Sequence, residues 1–360
     1  MKPQRAHTPR PAAPGASSPA TSTREPAHAF AMDDPRGSHS VSLLKALHIL
    51  TRDGQLNQDS RRKLKQVNHL IQLMAGPLHA LEGAASQEAP AHGGVVNSTP
   101  KPLVLVDHGC GKSYLGFMLY EWWGGARLSS PLEVIGIETR SELVEHAKTL
   151  ARELSFKGMD FFNISAKEAG VSDLLPQSVS VVTALHACDT ASDDAIEFAL
   201  AKRAQLVFLV PCCQAELAAK LRAGKAKILA KTPLAELWRH PLHTREMGSQ
   251  LTNVLRCLYL ESQGYKVSVT ELVGWEHSLK NELITASYTG QFKRSAALRL
   301  MALLEQFGLA SLMPERYPRV KALLATAPLA NALSSGPEID QDDTLEAGGE
   351  ATLSSVAPLP

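Results

Sequence analysis

Between Leu103 and Cys213 short apolar runs alternate with segments whose apolar residues recur at helical spacing, and few architectures accommodate that rhythm. The runs are LVLVD (103–107), EVIGIE (133–138), MDFFNIS (159–165), VSVVTALHA (179–187) and QLVFLVPCC (205–213). Helical patterns stand between them at 113–123, 141–154 and 192–201. Near-continuous apolar strands separated by helices predict a parallel sheet covered on both faces, joined by right-handed crossovers. The end of the chain changes texture. A long helix around Gln250 to Ser262 precedes YKVSVTELV (265–273) and NELITASYT (281–289), which lie close enough in sequence to pair antiparallel. The expected fold is therefore α/β: a doubly wound, mostly parallel seven-stranded sheet with an antiparallel last strand, flanked by N- and C-terminal helices.

Outside this region the chain divides by composition. Residues 1–39 are rich in Pro, Ala, Ser and Thr, and 327–360 are acidic and Gly-bearing; both read as disordered tails. Residues 40–99 read as a helical lead-in, from Ser40 to Leu81, followed by a loop from Glu82 to Pro100. The sheet region spans 100–290, and helices fill 291–326. Lys+Arg 37 against Asp+Glu 36 gives a formal charge of +1, so no global field advertises a polyanionic partner. The five cysteines, with no secretion signal, suit a reducing cytoplasm, and no apolar run reaches the ~18–20 residues of a membrane span.

The loop after the first run, VDHGCGKSYLGFMLY (106–120), contains Gly-Lys-Ser and invites comparison with a phosphate-binding P-loop. That motif needs a glycine five residues before Gly111, where this chain has Val106, still within the strand. The other reading is a nucleoside cradle. Asp107 ends the first strand, Gly109 and Gly111 let the backbone approach a ligand, and Glu138 ends the second strand, placed to accept both ribose hydroxyls. Tyr114 replaces the third glycine of the dinucleotide fingerprint, which argues against a pyrophosphate. A cofactor combining adenosine with a charged amino-acid end fits, with Asp107 facing its ammonium: S-adenosyl-L-methionine.

The segments VDHGCGKSYLGFMLYE, VIGIETRSELVEHA, VTALHACDTASDDAI, LVPCCQAEL and WEHSLKNELI resemble the Rossmann-like class I S-adenosylmethionine-dependent methyltransferases over about residues 100 to 290. Within that class they are most similar to a branch with Asp-x-Gly-x-Gly-Lys, His-x-Cys and Cys-Cys motifs, and more distantly to tRNA 2′-O-methyltransferases. The resemblance implies cofactor contacts from Asp107, Gly109, Cys110, Gly111 and Glu138, with Ser165 and Ala166 near the adenine edge. The usual acid at that edge is absent unless Asp160 or Glu168 substitutes. His186, Cys188 and Asp189 match the motif that faces the transferred methyl group. The Asn/Asp-Pro-Pro-Tyr motif of base amino-methyltransferases is missing, which argues against exocyclic N-methylation.

Methyl transfer needs a placed nucleophile and, for some acceptors, a base. His186, Asp189 and Asn281 are the catalytic candidates, His186 also counting among the cofactor-binding residues. Each has a plainer reading: His186 bonding a loop carbonyl, Asp189 bracing its loop, and Asn281, beside Lys280, bracing the turn before the last strand. Ser192 or Asp193 is the expected cap of the following helix. Cys188, Cys212 and Cys213 read as buried thiols rather than metal ligands, and no metal is expected. His240, His243, Arg245 and Arg256 suit either a phosphate backbone or a solvated helix face. Trp122 and Trp123 read as packing residues. The expected activity is methylation of a macromolecule, RNA (rRNA or tRNA) favoured over protein. A protein or small-molecule methyltransferase and an inactive cofactor-binding interaction module are the alternatives.

Overall fold

The computed structural model describes residues 39–87, 101–126, 130–185, 187, 189–211, 215–224, 233–272 and 282–325. Apart from His39, the expected tails lie outside these residues. So do His186, Cys188, Cys212, Cys213, Lys280 and Asn281.

The chain opens with α1 (Val41–Ala46) and α2 (Gln58–Gln87), then enters β1 (Leu103–His108), α3 (Tyr114–Gly125), β2 (Leu132–Ile137), α4 (Ser141–Glu153) and β3 (Met159–Phe162). It continues through α5 (Ala166–Val171), β4 (Val181–Leu185), α6 (Ala191–Ala201), β5 (Leu206–Val210), α7 (Ala215–Gly224) and α8 (Pro241–Ser262). The antiparallel pair β6 (Tyr265–Glu271) and β7 (Glu282–Tyr288) and three helices, α9 (Arg294–Gln306), α10 (Met313–Arg316) and α11 (Pro318–Ala325), complete it. The sheet order is β3-β2-β1-β4-β5-β7-β6. β1 pairs parallel with β2 and β4, β2 with β3, and β4 with β5, whereas β7 runs antiparallel between β5 and β6. The expected seven-stranded doubly wound sheet is what forms.

Strand alternation sends Val104 and Val106 to a core with α6, α8 and the C-terminal helices. Leu103 and Leu105 go to a second core with α1 to α4. Both sheet faces are thus dry, which is why β1, β4 and β5 read as unbroken apolar runs. Order reverses between β1 and β4, so their C-terminal ends open the crevice where doubly wound sheets take ligands.

Several expectations need correction. His39, assigned to the tail, is buried, its ring nitrogens 3.2 Å from Glu121 Oε2 and 3.0 Å from Asn68 Oδ1. α2 continues past Glu82 into the expected loop, because the stripe Leu64, Val67, Leu70, Ile71, Met74 and Leu78 packs on both sides of the internal Pro77. α8 begins at Pro241, well before Gln250. Before Leu251 it buries Thr244 and Gly248 and no large apolar residue, and Thr244 and Thr252 satisfy their hydroxyls by donating to His240 O and Gly248 O. A Cβ on Gly248 would lie 2.8 Å from Ala218 N, so the glycine lets α8 touch the α7 backbone.

Candidate active site

The glycine loop turns on left-handed backbone: φ is +64° at Gly109 and +56° at Gly111. Ser113, just before α3, is also left-handed (φ 53°), as is Asp189 in the loop after β4 (φ 51°). Non-glycine residues adopt this region at a cost and do so where surrounding structure imposes it. Here they mark the two loops flanking the switch point. A Cβ on Gly109 would stand 3.9 Å from Ala187 Cβ, so the two loops are neighbours.

Asp107 is buried and accepts a 2.8 Å hydrogen bond from Thr183 Oγ1 on β4. Burial pushes its pKa up to about 7, and the Thr183 and Ser113 hydroxyls only partly oppose that. A carboxyl in this state gains by meeting a cation. Such a demand fits the ammonium of an amino-acid moiety.

Glu138 is the opposite case. Its Oε2 accepts from Gly111 N (3.0 Å) and Arg140 Nη2 (3.0 Å), and its Oε1 from Thr139 N, Arg140 N and Arg140 Nε. Burial raises its pKa, but the Arg140 hydrogen bonds and charge and the Gly111 N–H outweigh burial and hold it at about 2. Its oxygens are saturated. The Arg140 guanidinium that pairs with them is 60% exposed, whereas Glu138 itself is buried.

Cys110 is turned inward. Its N–H bonds Ile137 O, its carbonyl accepts from Ser113 N, and its sulfur lies 2.9 Å from where a Gly136 Cβ would stand. Burial, with the nearby Asp107 and Glu138 charges, pushes the thiol pKa up, so it stays protonated. Ser165 is the N-cap of α5 in a capping box with Glu168, and Ala166 is the first residue of that helix. Glu168 is thereby engaged in the cap, and Asp160 is exposed with its Oδ1 on the Phe161 N–H.

The loop after β4 is held from below. Asp189 Oδ1 caps α7 by accepting from Ala215 N and Glu216 N, while its carbonyl accepts from Arg256 Nη2 at 2.7 Å. Arg256, read as lying on phosphate or on a solvated face, is instead 1% exposed and bidentate to Asp193 (2.9 and 2.7 Å). Asp193 is accordingly an ion-pair partner, not the helix cap. Ser192 donates to Ala187 O, and Thr190 occupies the N-cap position without a side-chain bond. His240, His243 and Arg245 remain exposed. Trp123 is buried with its indole N–H on Ser130 O, and Trp122 meets His79 edge-on.

Two residues escaped the sequence reading. Gly116 takes over the close packing that a third fingerprint glycine provides, since a Cβ there would lie 3.3 Å from Val134 Cγ1 on β2 and 2.4 Å from Ser113 Oγ. His108 is buried with both ring nitrogens unpartnered, 6.0 Å from the Phe198 ring, and burial lowers its pKa to about 4. The pattern Gly109-x-Gly111-x4-Gly116 was a usable signal for the first; a lone His beside a glycine loop carries none for the second.

A sheet of this order with an antiparallel seventh strand, an acid at the end of each of its two central donor strands and a glycine turn between them defines the Rossmann-like methyltransferase architecture. Residues 62–220 match the model of a family described as "Methyltransferase domain". Among solved structures the chain is similar to magnesium protoporphyrin IX methyltransferase from Synechocystis PCC 6803 with bound SAH, at 14% identity over 69% of this chain and 93% of that one (TM-score 0.37). It is also similar to the DszA carbon methyltransferase (10%; 63% and 55%; 0.38) and to an rRNA methylase from Streptococcus thermophilus (7%; 52% and 87%; 0.31). No curated protein matches the chain. Fold and family match support an S-adenosylmethionine-dependent methyltransferase with S-adenosylmethionine as its cofactor. No helix among the described residues is long and apolar enough to cross a membrane.

Proposed function

We propose that the protein transfers the methyl group of S-adenosylmethionine to an RNA acceptor, rRNA or tRNA. The observation that carries the cofactor half is the buried Asp107 carboxyl with Glu138 across the left-handed glycine turn. Bound there, the cofactor supplies an electrophilic methyl group. Asp107 binds its ammonium, Glu138 its ribose hydroxyls once Arg140 has moved, and Gly109 and Gly111 admit it to the backbone. Ser165 and Ala166, at the start of α5, border the adenine. Of the loop after β4, Asp189 serves as a brace that fixes the backbone, leaving His186 to take a proton from the acceptor and Asn281 to orient it. The RNA half is supported by the sequence resemblance to tRNA 2′-O-methyltransferases.

The test is calorimetric titration with S-adenosylmethionine, followed by incubation with labelled cofactor and total RNA or total protein. Saturable binding with label in RNA is expected. Label confined to protein or a metabolite fraction would refute the acceptor; no binding by folded protein at millimolar cofactor would refute the cradle.

A further inference from the structure

An RNA acceptor needs a docking surface, and the segment around α1 and the start of α2 is strongly basic. Between Val41 and Gln66 stand Lys45, Arg52, Arg61, Arg62, Lys63 and Lys65 against only Asp53 and Asp59, in a chain whose total formal charge is +1. α1 and the start of α2 fold this segment into a corner. His48 leaves α1 in a left-handed conformation (φ 54°), and an antiparallel bridge between Leu50 and Leu56 closes the turn. A cleft of about 520 Å³ opens there, lined by Lys45, His48, Arg52 and Asn57 over Ile49 and Leu50.

Lys45, Arg52 and Arg61 are exposed and have no acidic partner among the described residues. Arg62 meets only the exposed Asp59, at 3.9 Å. The positive potential is therefore not cancelled locally, and it reaches about a Debye length, ~8 Å at physiological salt. The cluster also reaches the start of α3: the Lys63 ammonium stands 5.9 Å from the ring centroid of Tyr114, the first residue of that helix after the glycine loop. Guanidinium, ammonium and amide donors gathered around one cleft suit the phosphate oxygens of a nucleic-acid backbone.

We infer that the α1–α2 corner is the surface that docks the RNA phosphate backbone beside the methyl-transfer site, an inference that rests on the RNA methyltransferase reading above. The test is fluorescence anisotropy of the full-length chain with a labelled 20-nucleotide single-stranded RNA and a 20-base-pair RNA duplex, from 50 to 200 mM KCl. Wild type and the triple variant Lys45→Glu, Arg52→Glu, Arg61→Glu are compared. Wild type should bind with affinity falling log-linearly in salt. The variant should bind at least about tenfold more weakly, with a slope reduced by about 2 to 3, while its titration with S-adenosylmethionine matches wild type. Equal RNA binding by the two proteins would overturn the docking surface, as would a wild type that binds neither RNA, or that binds polyglutamate in preference. Loss of cofactor binding in wild type would sink the methyltransferase reading separately, leaving the RNA comparison to decide the surface.

Discussion

Asp107 and His108 are neighbours whose titrations oppose each other, and separating them tests the electrostatics of the site. In the folded chain Asp107 is raised from 3.8 to about 7, and His108 is lowered from 6.5 to about 4. Between pH 4 and 6.5 the folded protein therefore carries its proton on Asp107 and the unfolded chain carries it on His108. The number of bound protons is the same in both states, so this pair adds almost no slope to stability there. Each residue alone would add a large one. For Asp107 the folded state binds more protons, so its contribution falls as pH rises from about 4 to 7; for His108 the unfolded state binds more, so its contribution falls as pH drops from 6.5 to about 4. At 1.36 kcal/mol per unit, the 2.5 units they share amount to about 3 kcal/mol in each direction. Asp107→Asn should expose the histidine slope, losing stability relative to wild type on acidification. His108→Leu should expose the aspartate slope, losing relative stability as pH rises to 7. At roughly 2–4 °C per kcal/mol, the difference from wild type in Tm should drift by about 6–12 °C across the window, with opposite signs for the two variants. Thermal melts at half-unit pH intervals read this directly. Melting profiles parallel to wild type at every pH would refute the burial argument for both groups.

Three further outcomes follow from the same geometry. On the proposed cradle, Arg140→Ala removes the guanidinium that competes with ribose hydroxyls for Glu138 and should tighten S-adenosylmethionine binding by about two- to tenfold in calorimetry; weaker binding would refute that competition. Arg256→Ala strands Asp193 in the interior and should cost about 3–5 kcal/mol in denaturant unfolding, whereas the exposed Arg245→Ala should change stability by less than about 0.5 kcal/mol. Gly248→Ala forces a Cβ against the Ala218 backbone and should cost about 1–3 kcal/mol by the same measurement, with no loss expected if α7 can shift freely.

The sheet was legible because parallel strands buried on both faces must be largely apolar, and β1, β2, β4 and β5 are so apart from Glu133, Thr183 and the strand-end pair Asp107 and His108. The glycine turn and its two acids were legible because a ligand approaching backbone at strand ends needs those residue types in that order. The start of α8, before Leu251, was not, because it packs through Thr244 and Gly248, which carry no hydrophobic period. Nor were the partners of the polar groups. Asp193 looks like a helix cap from its neighbours and becomes the partner of Arg256, 63 residues away, only when α8 is laid beside α6. Glu138 looks like a free carboxylate until the chain brings Gly111 and Arg140 onto it. Sequence by itself determined the sheet, the glycine loop and the acids, since burial periodicity and backbone sterics act within a few residues. Tertiary structure alone decided which charges are satisfied, which remain open to a ligand and where the basic corner stands, because hydrogen bonds and desolvation depend on groups that only folding brings together.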